Sequence, residues 1–488
     1  MKRCLDELAR GQFDVCVIGG GIMGAGIARD ATLRGLRVAL VEQADFASGT
    51  SSRSTKLIHG GLRYLEQFAF RLVAESCRER SVLLDMAPHL VKPLPLMIPA
   101  YEGDPRSLWK IRLGAFLYHS VMRRHPSLPP HQSISADQAV AQEPLLPRQG
   151  LHGAVLIHDC QMDDARLCIE TIAASADQGA ICANYCRVIG FQQDQKRLVS
   201  AQVEDMNQGS RFDIRADVFV NAAGPWVEKI ARLSGSDAEI TLSPTKGVHL
   251  VLPRLTKSHG LYFQTKGDRR MVFLIPWDDD LSLLGTTDTD YQREPEDAYA
   301  DPADTDYLLS QLKSLLPACE IDPSDIIASF AGVRPLIGSG PSPSSRSREE
   351  RIVWQAANLL TVAGGKYTTF RATANRAVQL IFSSLDRRAP PCLTSEVPLV
   401  ERRRAKSGEE VADGGGIFAS DVEQACDEEM AQTVDDVMRR RTHLALSRHG
   451  GLETAQRVSQ NMATQLGWSE ATRLNHVQAY MDERKKML

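Results

Sequence analysis

The sequence predicts an α/β protein in three parts: a nucleotide-binding domain that begins near the N-terminus, an inserted domain built on an antiparallel sheet, and a C-terminal helical domain. Three observations lead to this architecture. A strand, a glycine-rich turn and a helix follow one another within residues 13–34. Short alternating or apolar strands fill the middle of the chain. Val458, Met462 and Leu466 then keep helical spacing near the C-terminus.

The glycine-rich turn is the most specific of these observations. Gly19, Gly21 and Gly24 form a G-x-G-x-x-G pattern between an apolar, β-branched strand and a helix predicted at 25–34. Glycines at these positions allow a tight turn and a close approach of a pyrophosphate to a helix N-terminus. A second strand ends at Glu42, about 20 residues beyond the glycines, where a carboxylate can accept hydrogen bonds from ribose hydroxyls. The stretch therefore predicts a Rossmann-like dinucleotide site.

Two later segments repeat the order of strand, glycine and helix. One strand runs into Gly224 and Pro225, and another runs into Gly364 and Gly365. Proline suits the first turn of a helix, where its missing N–H group costs no hydrogen bond. All three junctions would present helix N-termini to one bound cofactor.

The remaining patterns predict the domain boundaries. Short strands in "GVHLVLP", "RMVFLIPW" and "LSLLGTTD" indicate an antiparallel sheet over the nucleotide, and further short strands are expected at 165–191 and 197–205. The linker predicted at 387–418 is rich in proline, glycine and charge. The predicted cofactor-dependent region 13–386 comprises nucleotide-binding segments at about 13–80, 150–235 and 350–386 and cap segments at about 81–149 and 236–349, and the helical domain covers 419–488.

Composition and charge exclude several classes of protein. The 488 residues carry a net charge of −4, which gives no reason to expect nucleic-acid binding. No run of about 18 apolar residues occurs, so no membrane-spanning helix is predicted, and the polar N-terminus does not resemble a signal peptide. Ten cysteines without a C-x-x-C pair indicate reduced thiols of a cytosolic protein rather than disulfides or a metal site.

Residues 50–66 read "TSSRSTKLIHGGLRYLE", which no helix or strand pattern explains. The glycine-rich N-terminus, this stretch, "DDARL", "NAAGPW", "IPW…LGTTD", "GVRPL" and "GGKYTT" occur in the order seen in FAD-dependent glycerol-3-phosphate dehydrogenases. The chain thus resembles this family of the D-amino-acid-oxidase-like flavoprotein superfamily. The resemblance is strong over about residues 13–380 and looser beyond them, and Thr55 stands where the family often has serine.

The resemblance implies that FAD is the cofactor. The glycine turn and Glu42 predict that FAD is held non-covalently, with covalent attachment to His59 as the alternative. The hydroxyls of Thr50, Ser51 and Ser54 would contact its phosphates and ribityl chain, and Gly60 and Gly61 would let the backbone approach the isoalloxazine ring. The implied cofactor-binding residues are Gly19, Gly21, Gly24, Glu42, Thr50, Ser51, Ser54, His59, Gly60, Gly61, Val188, Gly224, Gly365 and Thr368.

The resemblance also implies a reaction, the oxidation of sn-glycerol 3-phosphate at C2 to dihydroxyacetone phosphate with hydride transfer to flavin N5. Arg63, Arg334 and Lys366 are the expected ligands of the substrate phosphate, because arginine offers a planar fork to phosphate oxygens. Tyr64 would point into the same pocket.

Two histidines are candidates for the group that removes the substrate's hydroxyl proton. Imidazole suits proton abstraction near neutral pH, and His249 lies on a predicted strand while His59 lies in the glycine-containing stretch. A buried histidine with a structural role is an equal alternative for His249. Arg334 could instead stabilise the developing alkoxide, so the catalytic roles of these three residues stay open.

The electron acceptor is the least determined part of the interpretation. The chain lacks a cysteine-rich iron–sulfur segment and a second nucleotide fold, which favours a membrane quinone. The alternatives are an oxidase that uses oxygen, another amine or hydroxy-acid oxidoreductase of the superfamily, and a non-catalytic or tRNA-modifying flavoprotein.

A basic and aromatic segment would provide the membrane contact that a quinone requires. Residues 109–125 place Trp109, Phe116, Leu117 and Tyr118 among lysine and arginine, as in an interfacial helix, although a helix packed inside the cap domain has a similar pattern. The expected location is therefore cytoplasmic, attached peripherally to anionic lipid on the inner face of the membrane. The sequence leaves the oligomeric state open, with a homodimer as one candidate.

Overall fold

The computed structural model describes residues 1–488 except 122–124, 237–239, 266, 269, 279, 339–345, 347–348 and 403–404. The side chains of Arg63, Gln67 and Val121 are also outside the described part. None of the helices in these described ranges is long and apolar enough to cross a membrane.

Strands occur throughout the first 364 residues, and the last part of the chain is helical. The strands are β1 Gln12–Ile18, β2 Val38–Val41, β3 Leu57–Ile58, β4 Val91–Tyr101, β5 Gln132–Ile134, β6 Leu151–Met162, β7 Ile181–Ala183, β8 Cys186–Asp194, β9 Arg197–Asp205, β10 Arg211–Asn221, β11 Thr245–Pro253, β12 Gly260–Gln264, β13 Met271–Trp277, β14 Leu281–Gly285, β15 Thr289–Asp290, β16 Ala328–Arg334, β17 Glu350–Ala356 and β18 Leu359–Gly364.

The helices connect these strands and form the C-terminal unit. They are α1 Leu5–Arg10, α2 Ile22–Leu33, α3 Phe70–Met86, α4 Leu108–Val121, α5 Ala136–Gln142, α6 Asp164–Asp177, α7 Val227–Leu233, α8 Pro302–Leu315, α9 Phe370–Ser384, α10 Ala419–Asp427, α11 Val434–Asp436, α12 Leu452–Leu466 and α13 Glu470–Lys485. A π-helix covers Val437–Arg441, and 3-10 helices cover Thr50–Ser52, Leu62–Gln67, Gly224–Trp226, Pro295–Asp297, Pro323–Asp325, Tyr367–Thr369 and Leu444–Leu446.

The first sheet has the strand order β17-β18-β10-β1-β2-β7, with β9 and β8 continuing from β10. Strands β18, β10, β1, β2 and β7 are parallel, while β17, β9 and β8 pair antiparallel. Residues of β1 and β2 share one buried apolar cluster with α2, α6 and α9, as expected for a parallel sheet covered by helices. The predicted Rossmann-like fold is confirmed.

The second sheet has the strand order β15-β11-β14-β13-β12-β4-β6-β3, with β16 beside β11 and β5 beside β6. Its pairs are antiparallel apart from β12 with β4. This confirms the antiparallel sheet predicted from the strands at 245–285. Strands β3 and β6 belong to this sheet although they fall within predicted nucleotide-binding segments, because the chain crosses between the two sheets there.

The C-terminal unit packs against the second sheet and completes the predicted architecture. Val458, Met462 and Tyr480 of α12 and α13 share a buried apolar cluster with Val251 and Ile275 of β11 and β13. One face of the second sheet is therefore covered by the C-terminal helices, and burial of this apolar area contributes to holding the unit in place.

Two predictions about local structure were wrong. Residues 164–177 form helix α6 rather than short strands, because the Asp163 carboxylate accepts the N–H of Arg166 and caps the helix. Helix α2 begins at Ile22 rather than at residue 25, since the glycine turn continues directly into it.

The predicted linker at 387–418 has no helix or strand in its described residues, yet it is packed against the protein. Leu399 and Val411 are buried, and the N–H of Leu399 donates to the carbonyl of Met86 at 2.7 Å. Arg29 also donates to the carbonyl of Val397 at 2.5 Å. These contacts exclude a loose connector for this part of the chain.

Candidate active site

A cavity of about 370 Å³ lies between the two sheets, at the carboxyl ends of β1, β2, β10 and β18. This edge of an open α/β sheet is where such folds bind ligands. The glycine junctions that follow β1, β10 and β18 all line the cavity, as do Glu42, Val188 and the loop at 48–51. The structure thus brings the three predicted junctions together.

The turn after β1 has the shape that a pyrophosphate site requires. Gly19 has a positive φ of 115°, and a Cβ atom on Gly24 would overlap with the carbonyl oxygen of Gly19. The first turn of α2 therefore lies directly against the end of β1, and its N–H groups face the cavity edge. Ser51 Oγ accepts the N–H of Ile22 at 2.9 Å, so the Ser51 side chain is held at this helix N-terminus.

Glu42 closes the other side of the same turn. Its carboxylate accepts the N–H groups of Gly20 at 2.7 Å and Ala44 at 3.0 Å, and burial raises the pKa of Glu42. A carboxylate held in this way has further lone pairs for the hydroxyls of a ribose. The glycine turn, the buried acid and the helix N-termini around the cavity fit FAD.

Two hydroxyls of the 50–54 stretch are committed to the protein itself. Thr50 donates to the carbonyl of Val333 at 2.6 Å, and Ser54 donates to Asp164 at 2.7 Å. Because a hydroxyl has one proton, these two side chains tie the stretch to the second sheet and to α6 instead of donating to a phosphate. Buried Lys56 also forms an ion pair with Asp164.

Gly60 and Gly61 have different surroundings. A Cβ atom on Gly60 would overlap with the hydroxyl of Tyr118 and the sulfur of Cys77, whereas Gly61 lines the cavity beside Tyr64. The N–H of Gly60 donates to the Tyr118 hydroxyl at 2.7 Å, and Tyr118 in turn donates to Asp159 at 2.7 Å. Gly60 is therefore required by the packing of a buried polar cluster.

Tyr118 corrects part of the predicted interfacial helix. The sequence pattern placed Tyr118 on a membrane surface with Trp109, Phe116 and Leu117, but its side chain is buried on the opposite face of α4. There it contacts Arg80 and Asp159 as well as Gly60. Tyrosine is common at membrane interfaces, but a buried tyrosine hydroxyl that finds a hydrogen-bond partner is equally well placed inside a protein. The hydrogen bond to Asp159 therefore explains why Tyr118 is buried.

The predicted substrate residues line the cavity where their side chains are described. Lys366 Nζ lies 3.7 Å from the centre of the Tyr64 ring. Arg334 pairs with Asp288 at 3.0 Å and donates to the Thr286 hydroxyl at 2.8 Å. Arg63 belongs to the 3-10 helix Leu62–Gln67, but its side chain lies outside the described residues.

His249 lies on β11 in the wall of the cavity. Its Nε2 atom is 2.9 Å from the Thr55 hydroxyl, and its ring stacks on Phe330 with centres 4.9 Å apart. Burial, and then the charges of Arg334 and Lys56, hold the pKa of His249 well below its ordinary value. The imidazole is therefore neutral near pH 7, the state that a general base needs.

His59 lies on the cavity wall, next to the junction after β18. The N–H of His59 donates to the Thr368 hydroxyl at 3.3 Å, so both of these predicted cofactor residues occupy one corner of the cavity. Gly224 and Gly365 line it as well.

Several residues around the site were missed at the level of sequence. Asp288 belongs to "LGTTD", Asp164 to "DDARL" and Lys56 to the 50–66 stretch, so the motifs contained the signal although these residues were not singled out. Asp159 belongs to none of these motifs, and Tyr118 was named only as part of the interfacial segment 109–125. Their contacts with Gly60 join distant parts of the chain and require the fold.

Comparison with known proteins agrees with this geometry. The family described as FAD dependent oxidoreductase matches residues 14–375, and the C-terminal domain of alpha-glycerophosphate oxidase matches residues 393–473. A glycerol-3-phosphate dehydrogenase from Synechocystis sp. is 33% identical, over 98% of this chain and 97% of that protein. The chain belongs to the FAD-dependent glycerol-3-phosphate dehydrogenase family. Its cofactor is FAD, and the chain is an oxidoreductase.

Other relatives support the same family. The aerobic glycerol-3-phosphate dehydrogenase of Staphylococcus saprophyticus is 35% identical, over 93% of this chain and 81% of that protein. The structure of glycerol-3-phosphate dehydrogenase from Bacillus halodurans complexed with FAD has a TM-score of 0.81 and 28% identity, covering 99% of this chain and 97% of that chain. The L-alpha-glycerophosphate oxidase of Mycoplasma pneumoniae shares the fold, with a TM-score of 0.62 and 17% identity, over 80% of this chain and 100% of that chain.

Proposed function

We propose that this protein oxidises sn-glycerol 3-phosphate at C2 to give dihydroxyacetone phosphate. The observation that supports this most is the presence of Arg334, Lys366 and His249 in the wall of the FAD cavity, because it combines two cations for a phosphate with a neutral imidazole for a hydroxyl proton. FAD, when bound, supplies the hydride acceptor at flavin N5. The named relatives that match nearly the whole chain support the same substrate.

The phosphate would be bound by Arg334 and Lys366, together with Arg63. Asp288 and the Thr286 hydroxyl hold the Arg334 guanidinium in one orientation, which lowers the entropic cost of presenting its fork to a phosphate. Tyr64 places the Lys366 charge at the same cavity. A dianionic group is favoured over an uncharged one in this cavity, because its contacts with the cations offset the cost of removing its charge from water.

The hydroxyl proton would be taken by His249, whose ring is positioned by Thr55 and Phe330. Burial is the main cause of the lowered pKa of His249, and the charge of Arg334 is the second. Arg334 would also stabilise the alkoxide that forms as the proton leaves. His59 is the second candidate for the base, since it too lines the cavity.

Electrons would pass from reduced FAD to a membrane quinone. The supporting observation is an apolar surface on α4, where Trp109 is 61% exposed, Leu113 48% and Phe116 57%. Phe68 and Phe70 lie exposed on the adjoining 3-10 helix end and α3. Such residues enter the headgroup region of a bilayer, so we place the protein peripherally on anionic lipid at the inner face of the membrane. Arg123 and Arg124, which were part of the predicted pattern, lie outside the described residues.

An absorbance spectrum of the purified protein tests the main proposal. Yellow FAD should be released by acid precipitation, and anaerobic addition of glycerol 3-phosphate should bleach the flavin band. Glycerol and sn-glycerol 1-phosphate are the matched controls and should bleach the band far more slowly. A flavin that glycerol 3-phosphate does not bleach would refute the proposed substrate.

The acceptor is tested separately by mixing the reduced protein with oxygen or with a soluble quinone. Rapid reoxidation by the quinone, with slow oxygen consumption, is the expected result. Rapid peroxide formation would instead establish an oxidase.

A further inference from the structure

A buried carboxylate connects the C-terminal unit to the cofactor loop. Asp45 lies in the turn between Glu42 and Thr50 and is 1% exposed. Arg440 Nε donates to Asp45 at 2.6 Å, and Arg441 donates with both terminal nitrogens, one of them at 3.0 Å. Both arginines belong to the π-helix Val437–Arg441 of the C-terminal unit. Asp45 is thus bound by two guanidinium groups from a part of the chain far away in sequence.

The two positive charges of Arg440 and Arg441 keep Asp45 ionised. Burial alone would raise the pKa of Asp45, but the guanidinium groups of Arg441 and Arg440 hold it below its ordinary value. Arg441 also donates to the carbonyl of Glu429 at 2.7 Å, and Arg440 pairs with Asp436 at 2.7 Å. The arginines are therefore fixed within the C-terminal unit and cannot follow Asp45 if the loop moves.

A second buried contact reaches the far end of the same loop. His443 Nε2 lies 2.8 Å from Asp163, and Asp163 caps α6 by accepting the N–H of Arg166 at 2.9 Å. The next residue, Asp164, accepts the N–H of Ser54 at 3.1 Å and forms the ion pair with Lys56. The C-terminal unit thereby positions the helix end that holds residues 54–56.

Both ends of segment 45–56 are thus tied, directly or through α6, to the C-terminal unit. The middle of this segment, Gly49, Thr50 and Ser51, lines the cavity that fits FAD. We propose that the C-terminal helical unit is a positioning element of the FAD site, and that Arg441 acts through Asp45 to hold the cofactor loop closed. Neither arginine is a catalytic residue, and the proposal depends on FAD binding but not on the identity of the substrate or acceptor.

The rate of FAD release tests the proposal on the full-length holoenzyme. Arg441→Met keeps an unbranched stem but leaves Asp45 with one guanidinium partner, so release of FAD should become at least about tenfold faster, as expected when a buried pair is broken. Release is followed by the fluorescence of free FAD, at a temperature well below the melting temperature of every variant. Asp45→Asn is the milder second variant and should accelerate release in the same direction.

A matched control separates this effect from general destabilisation. Arg484 is also a buried arginine of the C-terminal unit, but it donates a hydrogen bond to the carbonyl of Ala445 at 2.7 Å within that unit. Arg484→Met should lower the melting temperature and leave the rate of FAD release near that of the parent. If Arg441→Met and Arg484→Met release FAD equally fast at equal distance from their melting temperatures, the proposal is wrong.

The double variant Asp45→Asn/Arg441→Met adds a readout that a purely structural role would not give. The double variant removes the buried carboxylate together with one of its two guanidinium partners, so the melting temperature should recover towards that of the parent. FAD release should stay fast, because the tie between loop and C-terminal unit is still missing. Recovery of slow FAD release together with stability would overturn the proposal.

Discussion

The Lys366 ammonium group lies 3.7 Å from the centre of the Tyr64 ring, on the wall of the FAD cavity. A cation over an aromatic face at this distance is stabilised by about 0.5–2 kcal/mol, depending on its exposure to water. The ring therefore fixes the position of the ammonium group and leaves its charge intact. A substrate phosphate in the cavity would meet a cation that is already in place.

Lys366→Met tests the role of this charge while keeping most of the side-chain stem. The KM for glycerol 3-phosphate should rise about a hundredfold, because a charge-assisted contact of about 2–3 kcal/mol is lost. The slow reaction with glycerol should hardly change. Steady-state kinetics with a soluble dye as acceptor measures both, and Lys313→Met on the surface of α8 is the control. Equal losses on the two substrates would indicate displaced flavin instead.

The geometry of Arg334 leads to a second prediction. Its guanidinium reaches Asp288, the Thr286 hydroxyl and the Thr287 carbonyl at the same time, which a lysine ammonium cannot do. Arg334→Ala should raise the KM for glycerol 3-phosphate about a hundredfold, and Arg334→Lys should give a rise of about tenfold. Arg254→Lys breaks a comparable set of hydrogen bonds outside the cavity, and an equal effect there would contradict a specific role of Arg334.

The pH dependence of flavin reduction tests His249 as the base. Its folded pKa is lowered, so the neutral form persists as pH falls through about 6.5, the ordinary value for histidine. The rate of flavin reduction should therefore stay level between pH 8 and pH 6 and decrease only at more acidic pH. His249→Asn should slow this step by roughly 10²–10⁴. Rapid mixing with glycerol 3-phosphate isolates the step, and near-normal bleaching in the variant would exclude His249 as the base and leave His59 or a water relayed through Arg334.

Sequence alone predicts the parts of this structure that depend on local patterns. The glycine turn, the strands at 245–285 and the spacing of Val458 and Met462 follow from periodicity and backbone geometry, and these elements were found where expected. The prediction of short strands over 165–191 failed up to residue 177, where the apolar residues are also compatible with a buried helix, while β7 and β8 lie in the rest of that range.

The parts of the structure that the sequence does not predict depend on contacts between residues that are far apart in the chain. Asp45 and Arg441 are separated by 396 positions, and no local pattern indicates that they meet. Tyr118 was assigned to a surface by its neighbours in sequence, although its partner Asp159 lies 41 positions away and buries it. Such pairs depend on how the two sheets and the C-terminal unit pack, which single-sequence periodicity does not contain.

The His443–Asp163 pair predicts how stability changes with pH. Burial would lower the pKa of His443, but the Asp163 carboxylate raises it, and the pKa of Asp163 is lowered to about 2 despite burial, mainly by His443. A raised histidine pKa stabilises the fold fully below about pH 6.5, and this contribution is lost as pH rises through the folded value. The Asp163 contribution is present above about pH 4 and is lost as pH falls towards 2.

His443→Gln should therefore lower the melting temperature more at pH 5.5 than at pH 9, relative to the parent protein. Thermal unfolding followed by circular dichroism at a series of pH values measures this difference. His152→Gln changes an exposed histidine and should have no comparable effect. A difference between parent and His443→Gln that is the same at both pH values would show that the pair contributes by packing rather than by charge.

The apolar surface of α4 predicts peripheral attachment to lipid. Phe116 and Leu117 are exposed on α4, and apolar side chains that enter the headgroup region act together with nearby cations on anionic lipid. The protein should sediment with anionic vesicles at low salt and detach in part at 1 M salt, where the Debye length is about 3 Å. Phe116→Glu/Leu117→Glu should weaken both sedimentation and quinone reduction, and should leave the reduction of a soluble dye intact.

The control for this surface is a pair of equally apolar residues elsewhere. Leu452 and Leu474 are each 49% exposed on the C-terminal helices, so Leu452→Glu/Leu474→Glu removes a similar apolar area from a different face. Sedimentation should then equal that of the parent protein. If both double variants lose vesicle binding to the same extent, α4 is not the attachment surface. Loss of flavin in Phe116→Glu/Leu117→Glu would instead show that this end of α4 supports the cofactor site through Tyr118 and Gly60.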